Sequence, residues 1–178
     1  EPRQTRHSQH AHNRGFITVG QDGIMGVTMG KQYWIGDVRS GSHDGETVEL
    51  KGWVHRTRGS NKIRFIVVRD STGHVQCVAK RDLIGDECFE DLKNALIESS
   101  VVIRGVVEAT DREHGHEVQV TEAEVIGPVN PDRPFPITES AMEEADGGET
   151  EFLLDNRHLY LRTSRMTTML NIRSSVFG

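Results

Sequence analysis

A regular alternation of apolar and polar residues in the middle of the chain restricts its fold more than any other feature. The stretch 47–56 places alternate residues on one face, namely Val48, Leu50, Gly52 and Val54. The stretches 63–69 and 74–79 are rich in β-branched residues, which favour a pleated, half-buried backbone. Because a period of two is typical of strands with one buried face, the sequence predicts three consecutive strands.

Short polar segments separate these three strands. Gly59, Ser60 and Asn61 follow the first strand, and residues 70–73 (Asp-Ser-Thr-Gly) follow the second. Residues of these types favour tight turns. Gly73 is free to take a positive φ, which glycine adopts without steric cost.

A helix and two further strands complete the pattern. Asp86 is placed to cap a helix. The apolar residues of that helix recur at the spacing of one helical face and are Phe89, Leu92 and Leu96. Strands are predicted over 99–109 and 117–126, where valine and isoleucine dominate, and residues 111–115 turn the chain between them.

The resulting order is β-β-β-α-β-β over about 80 residues. That is the order of an OB-fold, an all-β barrel of five strands with one helix between the third and fourth, and such barrels bind oligonucleotides on the face of strands 2 and 3. We therefore predict an all-β fold with one helix, with the five-stranded OB-fold domain over residues 31–127. Small β-barrels of other types share this pattern, and a fold alone does not establish function.

The segments around the barrel differ from it in composition. Residues 1–30 are polar and glycine-rich, so we expect a tail that is disordered or not native to the protein. Residues 128–151 are rich in proline and then acidic. Because proline prevents helix and discourages a central strand, these residues are predicted to form a linker.

The C-terminal segment 152–178 ends in a predicted helix that Ser164 is placed to cap. One face of this helix is apolar and consists of Met166, Met169, Leu170, Val176 and Phe177. Such a stripe is more often a core face than a cofactor site, and we interpret it as a core face. The helical pattern continues to Gly178 without a closing turn, so we expect the sequence to be part of a longer protein.

Charge is distributed unevenly along the predicted barrel. The formal net charge of −6 taken alone disfavours nucleic acid as a partner. Residues 51–81 nevertheless contain eight basic residues and one acidic residue, whereas residues 82–124 contain three basic and twelve acidic residues. Cations attract phosphates, and an exposed ring such as Phe65 can stack on a base. The basic half is therefore the candidate nucleic-acid face; the alternative is that Phe65 lies in the core and the cations are only solvated.

Several stretches of the sequence resemble the aspartyl/asparaginyl/lysyl subgroup of class II aminoacyl-tRNA synthetases. The anticodon-binding domain of that family is similar to residues 52–78 (GWVHRTRGSNKIRFIVVRDSTGHVQCV) and 96–105 (LIESSVVIRG). The approach to its catalytic domain is similar to residues 152–162 (FLLDNRHLYLR), and the helix that follows resembles the start of motif 1. The resemblance covers about residues 33–178. Residues 155–159 (DNRHL) and 134–139 (PFPITE) are most similar to asparaginyl-tRNA synthetases of the archaeal type, with aspartyl-tRNA synthetases next.

The resemblance implies an anticodon-binding site on the barrel. Phe65 matches the aromatic residue that stacks on the central anticodon base, and Gln76 matches the amide that reads that base, a uridine in both the Asn and the Asp anticodon. Arg56 and Arg58 match cations beside the anticodon loop, and on a strand they point to the same face. Glu98 matches a residue near the third anticodon base; the alternative is a surface carboxylate at a helix end.

The function implied by the resemblance is recognition of the anticodon loop of tRNA, as part of a cytoplasmic asparagine–tRNA ligase or, alternatively, an aspartate–tRNA ligase. Such an enzyme uses ATP and Mg²⁺ and forms a homodimer through motif 1. The motifs that bind ATP and the amino acid have no match in this sequence. We therefore expect the chain alone to bind no cofactor or metal, to contain no catalytic residues and to be inactive in aminoacylation.

Two further observations concern location and an alternative function. The two cysteines form no disulfide framework, and no run approaches the roughly 20 apolar residues that span a membrane, which fits a cytoplasmic protein. The polarised charge also fits a freestanding OB module that binds single-stranded nucleic acid without strict sequence preference. Residues 152–178, which such a module does not need, disfavour that alternative.

Overall fold

The protein is described by a computed structural model, which covers residues 17–19, 25–27, 32–111, 115–137 and 149–177. The strands in these ranges are β1 (Ile17–Val19), β2 (Met25–Val27), β3 (Thr47–Gly59), β4 (Ile63–Arg69), β5 (His74–Lys80), β6 (Ser100–Ala109) and β7 (His116–Gly127). The helices are α1 (Ile35–Arg39), α2 (Arg81–Ile84), α3 (Asp86–Asn94), α4 (Glu149–Asp155), α5 (Arg157–Tyr160) and α6 (Ser164–Phe177).

Strands β3 to β7 close into a barrel. The order around the barrel is β3, β4, β5, β7, β6, and β6 pairs again with β3. Neighbouring strands are antiparallel except for β5 and β7, which are parallel. The helix α3 connects β5 to β6 in sequence and packs against β7. The predicted five-stranded OB-fold barrel is thus confirmed, although β3 continues to Gly59, three residues beyond its predicted end.

The barrel interior is filled by the alternate residues that the sequence pattern predicted. Val48, Leu50 and Val54 from β3 are completely buried. The same holds on the neighbouring strands for Ile66, Val68, Cys77, Ile103, Val107, Val118 and Val120. Because side chains alternate between the two faces of a strand, the residues between them on β3, β4 and β5 lie on the outside of the barrel.

Two glycines allow the strands to approach closely. A Cβ at Gly105 would lie 2.2 Å from the carbonyl oxygen of Gln119, and a Cβ at Gly52 would lie 2.4 Å from that of Arg69. Both distances are far below van der Waals contact, so a side chain at either position would push β6 from β7 or β3 from β4.

The turn between β4 and β5 is built by the Asp70 carboxylate. Its Oδ1 accepts hydrogen bonds from the backbone N–H groups of Thr72 (2.6 Å) and Gly73 (3.0 Å). Its Oδ2 accepts one from the Ile35 N–H (2.8 Å) at the start of α1, a helix that the sequence did not predict. Gly73 is not among the residues with positive φ, so the turn does not use that freedom of glycine, because the Asp70 side chain forms the turn without a left-handed residue.

The start and end of α3 also differ from the prediction. Gly85, with φ of 79°, occupies the N-cap position, and Asp86 is the first helical residue. The Asp86 carboxylate accepts a hydrogen bond from Arg81 Nη1 (2.7 Å) instead of capping the helix. At the other end Ala95 is extended, so Leu96 lies beyond the helix and not on its apolar face. Arg81 begins α2, an unpredicted helix that directs the chain into α3.

The flanking segments are described in part. Within the predicted tail 1–30, β1 and β2 pair as a short antiparallel ribbon, and the other residues of that tail lie outside the described ranges. Residues 128–137 form neither helix nor strand, whereas α4 begins within the last residues of the predicted linker. None of the helices described is long and apolar enough to cross a lipid bilayer.

The capping residue of helix α6 is Thr163, whereas the sequence predicted Ser164. Ser164 is instead the first residue of the helix. The Thr163 Oγ1 accepts a hydrogen bond from the Met166 N–H (3.4 Å), the contact expected of a capping residue. None of the residues of α6 described is buried. The interpretation of its apolar stripe as a core face therefore does not hold in this chain, where Val176 is 69 % and Phe177 83 % exposed.

Candidate nucleic-acid interface

The outside of the barrel carries two parallel rows of cross-strand neighbours, which we call the outer face. The first row runs from β3 to β7 through Arg56, Val67, Gln76 and Glu117. The second row runs through Arg58, Phe65, Val78 and Gln119. Four of the five predicted site residues therefore lie together, and each reaches the outer face because its strand alternates between core and solvent.

Arg58 contacts both Phe65 and Gln76 at the centre of the outer face. The guanidinium carbon of Arg58 lies 5.4 Å from the centroid of the Phe65 ring. Its Nη2 donates to Gln76 Oε1 at 3.4 Å. Arg58 is exposed, whereas Gln76 is only 7 % exposed. The exposed Arg58 guanidinium thus contacts the ring and the amide, the two groups that the sequence predicts to hold a base.

Glu117 and Gln119 extend this cluster onto β7, and the sequence did not single out either of them. Glu117 Oε2 accepts from Gln76 Nε2 (3.2 Å), and its Oε1 accepts from Gln119 Nε2 (3.0 Å). The parallel pairing of β7 with β5 sets Glu117 directly beside Gln76. This pairing between distant segments could not be inferred from the local pattern, although barrel closure in an OB-fold brings the last strand beside an earlier one.

The outer face combines three groups suited to single-stranded nucleic acid. An exposed aromatic ring stacks on bases, a carboxamide offers both a donor and an acceptor to a base edge, and arginines attract phosphates. Its cations are supplied by Arg56 and Arg58. Among the described ranges, no group of three or more His, Cys, Asp or Glu residues is placed to hold a metal ion.

Glu98, the fifth predicted site residue, lies apart from the other four. It is not a surface carboxylate at a helix end: its side chain is 8 % exposed and lies between two arginines. The Arg69 Nη2 lies 2.5 Å from Glu98 Oε1, and the Arg162 Nε lies 2.6 Å from Oε2. Both guanidinium groups also contact the Trp53 ring, with centroid distances of 5.8 and 5.5 Å. Glu98 therefore joins the barrel to the segment after the linker.

The backbone at Glu98 also indicates that its neighbours fix its position. Its φ of 73° is the positive φ of a non-glycine residue, a conformation that costs of order 1 kcal/mol or more unless the surroundings hold it. The ion pairs to Arg69 and Arg162 supply such surroundings.

A histidine pair lies beside Arg69 at the edge of the outer face. The rings of His55 and His74 lie 4.6 Å apart between centroids. Burial lowers the pKa of His55, and the positive charges of Arg69 and Arg56 lower it further. The His55 imidazole is therefore neutral at neutral pH and adds no cation to the face.

Comparison with known proteins relates this geometry to a family. Residues 48–126 match the family model described as OB-fold nucleic acid binding domain. The asparagine–tRNA ligase of Thermoplasma acidophilum is 38% identical over 144 residues, which are 80% of this chain and 31% of that protein. That of Symbiobacterium thermophilum is 40% identical over 144 residues, 80% of this chain and 31% of that protein. The chain thus spans about a third of the length of the curated relatives it matches.

The solved structures agree with the sequence relatives. The asparaginyl-tRNA synthetase from Pyrococcus horikoshii complexed with asparaginyl-adenylate superposes with a TM-score of 0.72 at 35% identity, over 83% of this chain and 32% of that one. The aspartyl-tRNA synthetase from Entamoeba histolytica has a TM-score of 0.67 at 21% identity, over 83% of this chain and 35% of that one, a likeness of fold alone. Residues 48–126 therefore match the family of OB-fold nucleic-acid-binding domains, and the chain that contains them is similar to about a third of the length of asparagine–tRNA ligases.

Proposed function

We propose that this chain selects tRNA by its anticodon as part of an asparagine–tRNA ligase. The observation that carries the proposal is the convergence of Arg58, Phe65 and Gln76 on the outer face of a domain homologous to that of asparagine–tRNA ligases. An aromatic ring can stack on the base of one splayed nucleotide, an amide can read the edge of that base, and a cation that contacts both can neutralise its phosphate.

In this proposal the central uridine of the anticodon enters the space over Phe65. Its base stacks on the Phe65 ring, and its Watson–Crick edge meets the Gln76 carboxamide. Uracil presents an N3–H donor beside a carbonyl acceptor, and a carboxamide presents the complementary acceptor and donor. Arg58 swings from the ring to a phosphate, which its exposed position permits, and Arg56 binds the loop backbone beside it.

Glu98 remains a prediction as a neighbour of the third anticodon base. In the free chain its two oxygens pair with Arg69 and Arg162. A contact with the base would therefore share or replace one of these ion pairs. We propose that Glu98 acts chiefly by holding Arg69 and Arg162 at the edge of the outer face.

The activity of the longer protein is proposed from its relatives, because this chain matches only about a third of their length. That protein would join asparagine to tRNA using ATP and Mg²⁺, in the cytoplasm. The ATP and amino acid sites would be built by residues other than those matched here. The exposed apolar residues of α6, such as Leu170 and Phe177, support the proposal that this helix contributes to a homodimer interface, since exposed apolar patches mark association surfaces.

Two alternatives differ in what they predict. Aspartate–tRNA ligase shares the central uridine, but the relatives with 38–40% identity are asparagine–tRNA ligases, which favours asparagine. A freestanding OB module would bind single strands regardless of sequence. The resemblance of residues 152–162 to the approach to the catalytic domain of such ligases, and the ion pair that joins Arg162 to the barrel, favour the ligase.

The test is binding of the purified chain to a synthetic RNA hairpin whose loop carries the asparagine anticodon 5′-GUU-3′. We expect Phe65→Ala and Gln76→Ala each to weaken binding by about 1–3 kcal/mol, because each removes one of the two proposed contacts to the central base. Ile63→Ala is the control, since it truncates an exposed apolar side chain at the first residue of the same strand. Unchanged binding by both Phe65→Ala and Gln76→Ala, with folding verified by thermal melts, would overturn the assignment of the outer face.

A further inference from the structure

The Gln76 carboxamide lies between two neighbours of opposite hydrogen-bonding character. On one side the Glu117 carboxylate, which only accepts, lies 3.2 Å from the amide nitrogen. On the other side the Arg58 guanidinium, which only donates, lies 3.4 Å from the amide oxygen. A carboxylate has no proton to give and an arginine no lone pair to offer. Both neighbours therefore favour the same orientation of the Gln76 carboxamide, with its Nε2 toward β7 and its Oε1 toward β3.

The Glu117 side chain is itself held in place. Its second oxygen accepts a hydrogen bond from Gln119 Nε2 at 3.0 Å. The backbone of Glu117 is fixed beside Gln76 by the parallel pairing of β7 with β5. Glu117 is half-buried, whereas Arg58 is exposed. When a base takes the place of Arg58 over Phe65, Glu117 is thus the neighbour that continues to orient the amide.

The orientation of the amide decides which pyrimidine it can pair with. Uracil presents a donor at N3 and an acceptor at O4, whereas cytosine presents an acceptor at N3 and a donor at N4. A carboxamide that is free to rotate by half a turn satisfies either base. A carboxamide held in one orientation forms both hydrogen bonds with uracil. Cytosine in the same pose forms neither, because its donor then faces the amide N–H and its acceptor faces the amide oxygen.

We infer that Glu117 is a positioning residue that fixes the Gln76 carboxamide in the orientation that accepts uracil and rejects cytosine. The inference rests on the proposed function of Gln76 as the reader of the central base. It extends the site to β7 and assigns a role in base selection to a residue that touches no base. It also accounts for Gln119, which anchors the second oxygen of Glu117.

The test measures how Glu117→Gln changes discrimination between two RNA hairpins that differ only in uridine or cytidine at the central anticodon position. Glutamine has nearly the size of glutamate but carries both a donor and an acceptor, so Gln76 can then adopt either orientation. We expect the wild-type chain to prefer the uridine hairpin by roughly ten-fold or more, and Glu117→Gln to lose most of this preference by binding the cytidine hairpin more tightly. Affinity for the uridine hairpin should change little.

The control is Glu108→Gln, because Glu108 lies directly opposite Glu117 on β6 and its loss removes the same charge. We expect this variant to keep the wild-type preference. Glu117→Met, which removes the acceptor without adding a donor, is the second variant, with thermal melts to verify folding of each, and it should lose the preference as well.

Two outcomes separate the inference from the proposed function. If both Glu117 variants prefer the uridine hairpin as strongly as the wild-type chain does, the inference is overturned, while Gln76 remains the reader of the central base. If the wild-type chain binds both hairpins equally, the proposed reading of the central base by Gln76 is itself wrong.

Discussion

The guanidinium of Arg162 pairs with the carboxylate of Glu98, with Nε and Oε2 2.6 Å apart. This contact ties the segment before α6 to the barrel beside the strands that carry the outer face. A carboxylate with a side-chain exposure of only 8 % depends on its partners, because an isolated buried charge is strongly unfavourable. The Glu98–Arg162 ion pair therefore has a structural role, whether or not Glu98 also contacts a nucleotide.

Glu98→Gln should destabilise the chain. We expect the free energy of unfolding to fall by about 3 kcal/mol, because Arg69 and Arg162 would then lie beside a neutral group. Denaturant unfolding measures the change, and Glu124→Gln, an exposed glutamate on β7, is the control. Wild-type stability together with weakened RNA binding would instead make Glu98 a base contact only.

Asp70→Ala should loosen both the β4–β5 turn and the start of α1. The substitution removes the acceptor of the Thr72, Gly73 and Ile35 N–H groups. We expect a loss of about 2 kcal/mol of stability, the upper range for a lost cap. Asp70→Asn keeps one oxygen acceptor and should lose less. Equal stability of the alanine variant and the wild type in denaturant unfolding would contradict the role of Asp70.

Arg58→Gln should reduce the salt dependence of RNA binding. Each phosphate contact to a single strand contributes about 0.7 to the slope of log affinity against log salt concentration, so the slope should fall by about that amount. Fluorescence titrations of the anticodon hairpin at several salt concentrations provide the measurement. Arg133→Gln, in an exposed turn far along the sequence, should leave the slope unchanged; an equal decrease for both variants would mean that Arg58 contributes only net charge.

The buried thiol of Cys77 should make stability fall in alkaline solution. Burial, and secondarily the charge of Glu117, raises the pKa of Cys77 from 9.0 to about 12. Between these two values the unfolded chain has lost the thiol proton and the folded chain has kept it, so rising pH favours unfolding; below pH 9 the thiol contributes nothing to the pH dependence. From about pH 8 to about pH 10 the wild type should lose about 1 kcal/mol more than Cys77→Ala. If the free energies of unfolding of the two proteins changed equally with pH, the result would contradict this account, because the thiol would then ionise as readily in the folded chain as in the unfolded one.

The strands and the outer face could be predicted from the sequence because both depend on local patterns. Alternation of apolar residues located β3, and runs of β-branched residues located β4 to β7. The period of two also placed Arg56 with Arg58 on one face. Motif resemblance added Phe65 and Gln76. Each of these inferences uses residues close together in sequence, or strands joined by a short turn.

The features that the sequence did not predict depend on contacts between distant segments. Glu117 lies beside Gln76 only because β7 closes the barrel against β5. Glu98 is paired in part with Arg162, a residue from beyond the linker. In the same way Gly73 needs no positive φ because the Asp70 side chain shapes the turn and also binds α1. Local propensity carries no information on such partners.

The most direct test of the central claim compares the affinity of the wild-type chain for two anticodon hairpins. One carries uridine at the central position of the loop and the other carries adenosine, with every other nucleotide unchanged. We expect the uridine hairpin to bind at least roughly ten times more tightly, because the purine can form neither the N3–H contact to Gln76 nor the same stack on Phe65. Equal affinity for the two hairpins would contradict anticodon selection by the outer face and would favour a barrel that binds single strands regardless of sequence.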